Sequence, residues 1–304
     1  MKPLRILVMT TVPQTLTAFF PRQLQSLAEA GFDVHVLSSP GEDLDRFNDI
    51  PGITAHAVPM ERQPDLRRDG VSLWKVLRLI RRLRPQIVHS HTPKAGLLGM
   101  VAAKAARVPI RLYTFHGLPL ETKTGLWRKI LQAAERLSAA LATHAYTVSH
   151  SLKNVVVDLH LCPATKISTL GDGSCAGVDV ERFNGRADWS GERARIRQQL
   201  WLPEDALLIS FLGRLAKDKG IGVLAEAWPE IAALLPEAHL LLGGEVDGTD
   251  AIPPALLEAL RRHDRVHFIG SVKQPDVAAV YAATDIFVLP TFREGLSQVA
   301  LETG

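Results

Sequence analysis

At 304 residues, 46% of them hydrophobic, the chain is comfortable for two domains and has apolar content enough for two cores. Lys and Arg total 35 against 32 Asp and Glu, a balance that argues against a dedicated nucleic-acid binder. The two cysteines, Cys162 and Cys175, are too few for a disulfide framework and lack metal-ligand spacing, so a reducing cytosol is expected.

The opening run Met1 to Met9 is too short for a secretory signal, and no apolar stretch reaches the length of a membrane span. The chain therefore reads as soluble or peripheral. Arg5 to Met9, Asp33 to Leu37, Ile53 to Val58, Ile87 to Ser90, Arg111 to Thr114 and His144 to Val148 read as strands, with helical spacing between several of them. That alternation predicts a parallel βαβ sheet. Within it, residues 72 to 84 form an amphipathic helix with five basic residues, extended by Arg67 and Arg68. Two readings of it stay open: attraction to anionic lipid, or a core-packing helix with a solvated polar face.

A second series follows about residue 190. Ala206 to Gly213, His239 to Gly243, Val266 to Gly270 and Asp285 to Pro290 read as buried strands, with helices at roughly 219 to 235, 254 to 263 and 275 to 283. The seam is expected between Gly171 and about Gly191, which sets domains at 1–185 and 186–304 with a ligand cleft between them. No short internal repeat is present. The chain stops at Gly304, a few residues into the helix after Glu294, so the second domain reads as incomplete.

The polar residues at strand ends carry the chemistry, because open parallel sheets bind ligands outside the carboxyl ends of their strands. Gly213-Arg214 with Lys217-Asp218-Lys219-Gly220 offers cations suited to a diphosphate: Arg214 as a bidentate clamp, Lys219 as a compact charge near a helix N-terminus. Taken alone, Lys217 and Lys219 read as solvated loop residues. Glu294 and Glu302 stand eight residues apart, about 12 Å along a helix axis, and with the first acid in the preceding loop they would embrace one polyhydroxylated ligand from two sides. His116, just after a strand in Tyr113-Thr114-Phe115-His116-Gly117, is placed to donate to a sugar hydroxyl or stabilise developing charge. His89 and His91 also sit at a strand end, where their alternate spacing is read as sending them to opposite faces or into the loop. The only Asp-x-Asp, Asp43-Leu44-Asp45, reads as a solvated loop, and no metal site is expected. No Walker-type loop or nucleophile elbow occurs.

In this order, these motifs resemble the family 4 retaining glycosyltransferases of the GT-B architecture. The likeness runs through Pro85 to His91, Phe115-His116-Gly117, Val148-Ser149, Gly177 to Phe183, Gly213-Arg214 with Lys219-Gly220, and the spaced glutamates. It implies two Rossmann-like parallel-sheet domains, a UDP-linked or other nucleoside-diphosphate sugar as donor, and no cofactor or metal. By the same likeness Arg214 and Lys219 would hold the diphosphate, Glu294 the donor sugar and Glu302 the ribose, with His116 beside the transferred sugar. His91-Thr92-Pro93-Lys94-Ala95-Gly96 looks like members that build capsule, exopolysaccharide or lipopolysaccharide units on a polyprenyl diphosphate. It makes Lys94 and His91 candidates for the acceptor, a lipid-linked or growing glycan, and implies a cytoplasmic enzyme at the inner face of the membrane. A solvated Lys94 is an equal reading. The loop Thr11 to Thr17 departs from the family pattern in lacking a Gly-Gly. Two other classes remain: a non-catalytic, nucleotide-sugar-binding remnant, and a GT-B-like sugar-nucleotide epimerase.

Overall fold

A computed structural model describes residues 3–61, 65–174, 176–183, 188–248 and 250–304. The chain divides into two compact units, Met1–Ala176 and Gly177–Gly304. The sequence-based boundary at 185/186, like Cys175, lies outside the described residues.

The first unit is a seven-stranded, all-parallel sheet built from β1 (Arg5–Met9), β2 (Asp33–Ser38), β3 (Ile53–Ala57), β4 (Ile87–His91), β5 (Ile110–Phe115), β6 (His144–Thr147) and β7 (Ile167–Thr169), in the order β3-β2-β1-β4-β5-β6-β7. Helices cover a parallel sheet on both faces, so its central strand is apolar after Arg5: Ile6, Leu7, Val8 and Met9 of β1 are all buried. Ile6 lies beside Val34 on one side and Ile87 on the other. Strand order reverses between β1 and β4, which puts a ligand crevice at Thr10–Thr11 and at the end of β4.

The helix expected at 72 to 84 runs from Leu66 to Leu83. It starts earlier because Asp65 caps it, its carboxylate accepting the amides of Arg67 and Arg68 at 3.0 Å each. Val76, Leu79 and Ile80 face the sheet while Lys75, Arg78, Arg81 and Arg82 are exposed. Among the described residues no helix is long and apolar enough to cross a membrane.

The second unit is a four-stranded parallel sheet of β8 (Leu207–Leu212), β9 (Ala238–Gly243), β10 (Val266–Gly270) and β11 (Ile286–Phe287), in the order β10-β9-β8-β11. Its core gathers Phe211, Leu240 and Leu242 around the fully buried Trp228 of the helix Ile221–Leu234. The reversal here falls between β8 and β11, so the loops leaving those two strands face one crevice.

Two sequence expectations are corrected. The strand expected over Asp285 to Pro290 shortens to Ile286–Phe287; before it, the Asp285 carboxylate accepts from the Leu208 amide at 2.8 Å and from Arg193 at 2.7 Å, bonding its side chain to the start of β8. β7 was not anticipated: three residues at a sheet edge are too short to show a period.

Candidate functional site

In the second unit the site grows from the loop after β8. Gly220, at φ +74°, ends the turn Lys217–Lys219 and opens the helix Ile221–Leu234. A Cβ there would lie 1.9 Å from the Pro290 carbonyl oxygen, so glycine is what lets the loops after β8 and β11 touch. A similar approach joins the loops after β8 and β9, where a Cβ on Gly244 would lie 1.8 Å from the Gly213 oxygen.

Asp218, 6% exposed, ties these loops together. Its carboxylate accepts from Arg293 Nη2 at 2.7 Å and Arg214 Nη2 at 3.2 Å. Its amide donates to the Asp250 carboxylate at 2.8 Å, and its carbonyl accepts from the Phe292 amide at 2.9 Å. Burial pushes the carboxyl up, but the Arg293 hydrogen bond and the charges of Arg214, Arg293 and Lys219 outweigh it and hold Asp218 below the usual carboxylate range. Sequence reasoning missed both Asp218 and Arg293. The available signal was an acid between two lysines at a strand end, a place where an unpaired cation cluster would repel itself.

The predicted cations sit on this frame. Arg214 pairs with Asp247 as well as Asp218, leaving its side chain 42% exposed. Lys219 Nζ pairs with Glu294 Oε1 across the two loops. Glu302 is turned inward on the helix Gln298–Thr303, which Ser297 caps by accepting from the Ala300 amide. Its carboxylate accepts from Tyr281 at 3.4 Å and Gln298 at 3.3 Å, and burial pushes it up against those hydrogen bonds. Lys219 and Glu294 are thus brought together, while Glu302 has partners of its own.

In the first unit the end of β4 carries a histidine cluster. His91 Nδ1 lies 2.9 Å from His116 Nε2, and His89 Nε2 lies 2.8 Å from Thr114 Oγ1. The expectation that His89 and His91 go to opposite faces or into the loop is wrong, since both lie within β4. Residues i and i+2 of a strand share a face, and the two rings stand 4.0 Å apart. Phe20 closes over His91 at 4.4 Å. Burial pushes His116 down to about 4 and His89 to about 3, and holds His91 well below its ordinary value. All three are neutral imidazoles at pH 7, able to donate or accept one proton in a hydrogen bond and unable to supply a full charge.

Thr92, next along, adopts φ +67°, unusual for a β-branched residue, and turns the chain into the helix Pro93–Ala105. Its hydroxyl lies 2.8 Å from that of Thr11 across the β1/β4 reversal. Lys94 pairs with Asp69 at 2.7 Å with only 12% of its side chain exposed, which corrects the solvated reading. Among the described residues no group of three or more His, Cys, Asp or Glu is gathered to hold a metal ion.

Residues 22–174 match the family model described as Glycosyltransferase Family 4, and residues 206–303 match Glycosyl transferases group 1. The capsular polysaccharide biosynthesis glycosyltransferase CapM of Staphylococcus aureus is 33% identical over 303 residues, covering 99% of this chain and 77% of CapM. The Escherichia coli UDP-Gal:alpha-D-GlcNAc-diphosphoundecaprenol alpha-1,3-galactosyltransferase is 26% identical, covering 92% of this chain and 71% of that enzyme. Among solved structures, Anabaena HepE in complex with UDP-glucose superposes with a TM-score of 0.76 at 18% identity, over 99% of this chain and 78% of HepE. Sucrose-phosphate synthase from Thermosynechococcus elongatus gives 0.75 at 20%, with the same coverage.

Two parallel-sheet α/β units of this topology define the GT-B class of fold. Within that class the chain belongs to glycosyltransferase family 4, and it is a transferase of glycosyl groups.

Proposed function

We propose that the protein transfers a hexose or N-acetylhexosamine from a UDP-sugar to a lipid-linked or growing glycan in surface polysaccharide synthesis, with retention of configuration and without a metal. The observation that carries this reading is the Lys219–Glu294 ion pair at the β8/β11 reversal. A diphosphate bound by Lys219 and Arg214 takes both cations as partners and leaves Glu294 to accept from sugar hydroxyls. Charge developing on the departing diphosphate then meets fixed cations rather than water.

The carboxylates act in this scheme as binders, not as the acid and nucleophile pair of a glycosidase. Glu302 is assigned to the ribose, whose hydroxyls would add to or replace the bonds it now accepts from Tyr281 and Gln298. His116, neutral and fixed by His91, is assigned to a hydroxyl of the transferred sugar. Lys94 and His91, at the β1/β4 reversal, are assigned to the acceptor. The lipid-linked acceptor is suggested by the E. coli galactosyltransferase, which acts on a diphosphoundecaprenol-linked sugar, the surface polysaccharide by the capsular CapM, and the UDP-linked donor by the galactosyltransferase and by HepE in complex with UDP-glucose. The enzyme is placed in the cytoplasm, where UDP-sugars are available.

Calorimetric titration of UDP into the purified chain, followed by transfer to an undecaprenyl-diphosphate-linked sugar, tests the reading. UDP binding with turnover is the expected result. Absence of UDP binding sinks it.

A further inference from the structure

Charges on the two facing loops of the second unit run in opposite order. The loop after β8 carries Asp218 then Lys219, and the loop after β11 carries Arg293 then Glu294, so each acid stands across from a cation. The inner rung, Asp218–Arg293 at 2.7 Å, has side chains 5% and 20% exposed, and the outer rung is Lys219–Glu294. A donor diphosphate engages the outer rung, and the loops do not need the inner one to stay joined. The Asp218 carbonyl already accepts from the Phe292 amide at 2.9 Å and from Thr291 Oγ1 at 3.2 Å, and the Asp218 amide is held by the Asp250 carboxylate.

The posture of Arg293 is also poor for a purely structural pair. Its guanidinium meets Asp218 through Nη2, while its Nε is buried without a partner. A two-bond fork would hold more strongly, and an unpartnered buried N–H costs stability. What the residue supplies is charge. Asp218 is a buried acid, next in sequence to Lys219 and 3.2 Å from Arg214, the two cations assigned to the diphosphate. A carboxylate there competes with phosphate oxygens for both. The ion pairs run Asp247–Arg214–Asp218–Arg293, two acids against two cations. Without Arg293 the same series is one arginine between two acids, and Asp250 at the Asp218 amide adds to their charge. An anionic ligand would then meet a net negative frame.

We infer that Arg293 is a positioning residue of the donor site: by neutralising Asp218 it keeps Arg214 and Lys219 available to the diphosphate. The inference rests on the donor reading of the β8/β11 crevice and adds to it a residue that acts through Asp218.

The test is a charge ladder, read by calorimetric titration of UDP into the full chain and three variants, with a thermal melt of each. Arg293→Gln removes one positive charge, Asp218→Asn removes one negative charge, and the double variant Asp218→Asn, Arg293→Gln removes one of each. Expected is UDP affinity about tenfold lower for Arg293→Gln, within about threefold of the wild type for the double variant, and equal to or above the wild type for Asp218→Asn, even though that last chain melts below it. A merely structural pair would instead weaken binding in all three variants, and that result overturns the inference. So does an Arg293→Gln chain that binds UDP as tightly as the wild type. Should Arg293→Gln fail to fold, the double variant must still bind UDP more weakly than Asp218→Asn, and equal affinities there overturn the inference as well. A wild-type chain that binds no UDP removes the donor reading and this inference with it, whereas loss of the ladder with wild-type binding intact removes only the role of Arg293.

Discussion

Lys219 and Glu294 are 75 residues apart in sequence and form an ion pair between the loop after β8 and the loop after β11. The pair exists because the strand order of the second unit reverses between those strands, so two loops that no local pattern connects leave the sheet side by side. A charge-assisted contact to diphosphate contributes about 1.5–3 kcal/mol. Lys219→Ala should therefore weaken UDP binding by roughly 10- to 150-fold in a calorimetric titration, with the melting temperature nearly unchanged. Unaltered affinity would remove Lys219 from the donor site.

Asp218 predicts a different signature, in stability. Its folded carboxyl lies below its unfolded value of about 3.9, so its contribution is present above that value and is lost as pH falls through the folded one. Asp218→Asn should leave Arg214 and Arg293 short of a counter-charge, cost about 3 kcal/mol at pH 7, and cost much less near pH 2. Urea melts at the two pH values measure this, and an equal loss at both would refute the account.

The strand ends were legible in sequence and their cross-loop partners were not. β1 and β10 fall on their expected bounds because short β-rich runs bounded by polar residues suffice to mark buried parallel strands. Arg214 and Lys219 were legible for the same reason, as cations just past a strand. Asp218 and Arg293 were not, since their meaning lies in a contact across the β8/β11 reversal, which depends on strand order. The early start at Leu66 was hidden because Gly70 interrupts the helical pattern while a single capping carboxylate at Asp65 decides the boundary. The neutral histidine cluster needed the correct face rule and the register of β4 beside β5, which sets His89 against Leu112 and brings Thr114 next to His91.

Gly220 predicts how tightly the two loops depend on each other. Gly220→Ala places a methyl group where the Pro290 carbonyl stands and asks a non-glycine residue to hold φ +74°. The conformational cost alone is about 1–3 kcal/mol, and relief of the clash must separate the loops. Loss of both stability and UDP affinity is expected, read by thermal melts and calorimetry. A variant that keeps full UDP affinity would show that the loop contact is dispensable for the donor.

Glu135 predicts the opposite pH dependence to Asp218. Burial raises its carboxyl to about 7, against the lowering effect of the Tyr113 hydrogen bond. Its unfolded value is about 4.3, so between these two values the folded chain holds a proton that the unfolded chain has released. Stability should be highest at the acid end of that window and fall as pH rises toward about 7, by on the order of 3 kcal/mol. Glu135→Gln retains an acceptor for the Tyr113 hydroxyl and carries no charge to desolvate, so it should stabilise the first unit at pH 8 and be nearly neutral at pH 4.5. Chemical denaturation of both chains at the two pH values decides the matter. Equal stability at pH 8 would mean that the Glu135 carboxylate is ionised in the folded chain at no cost, and that the inward face of the helix Gly125–Leu141 is better hydrated than its 3% exposure of Glu135 implies.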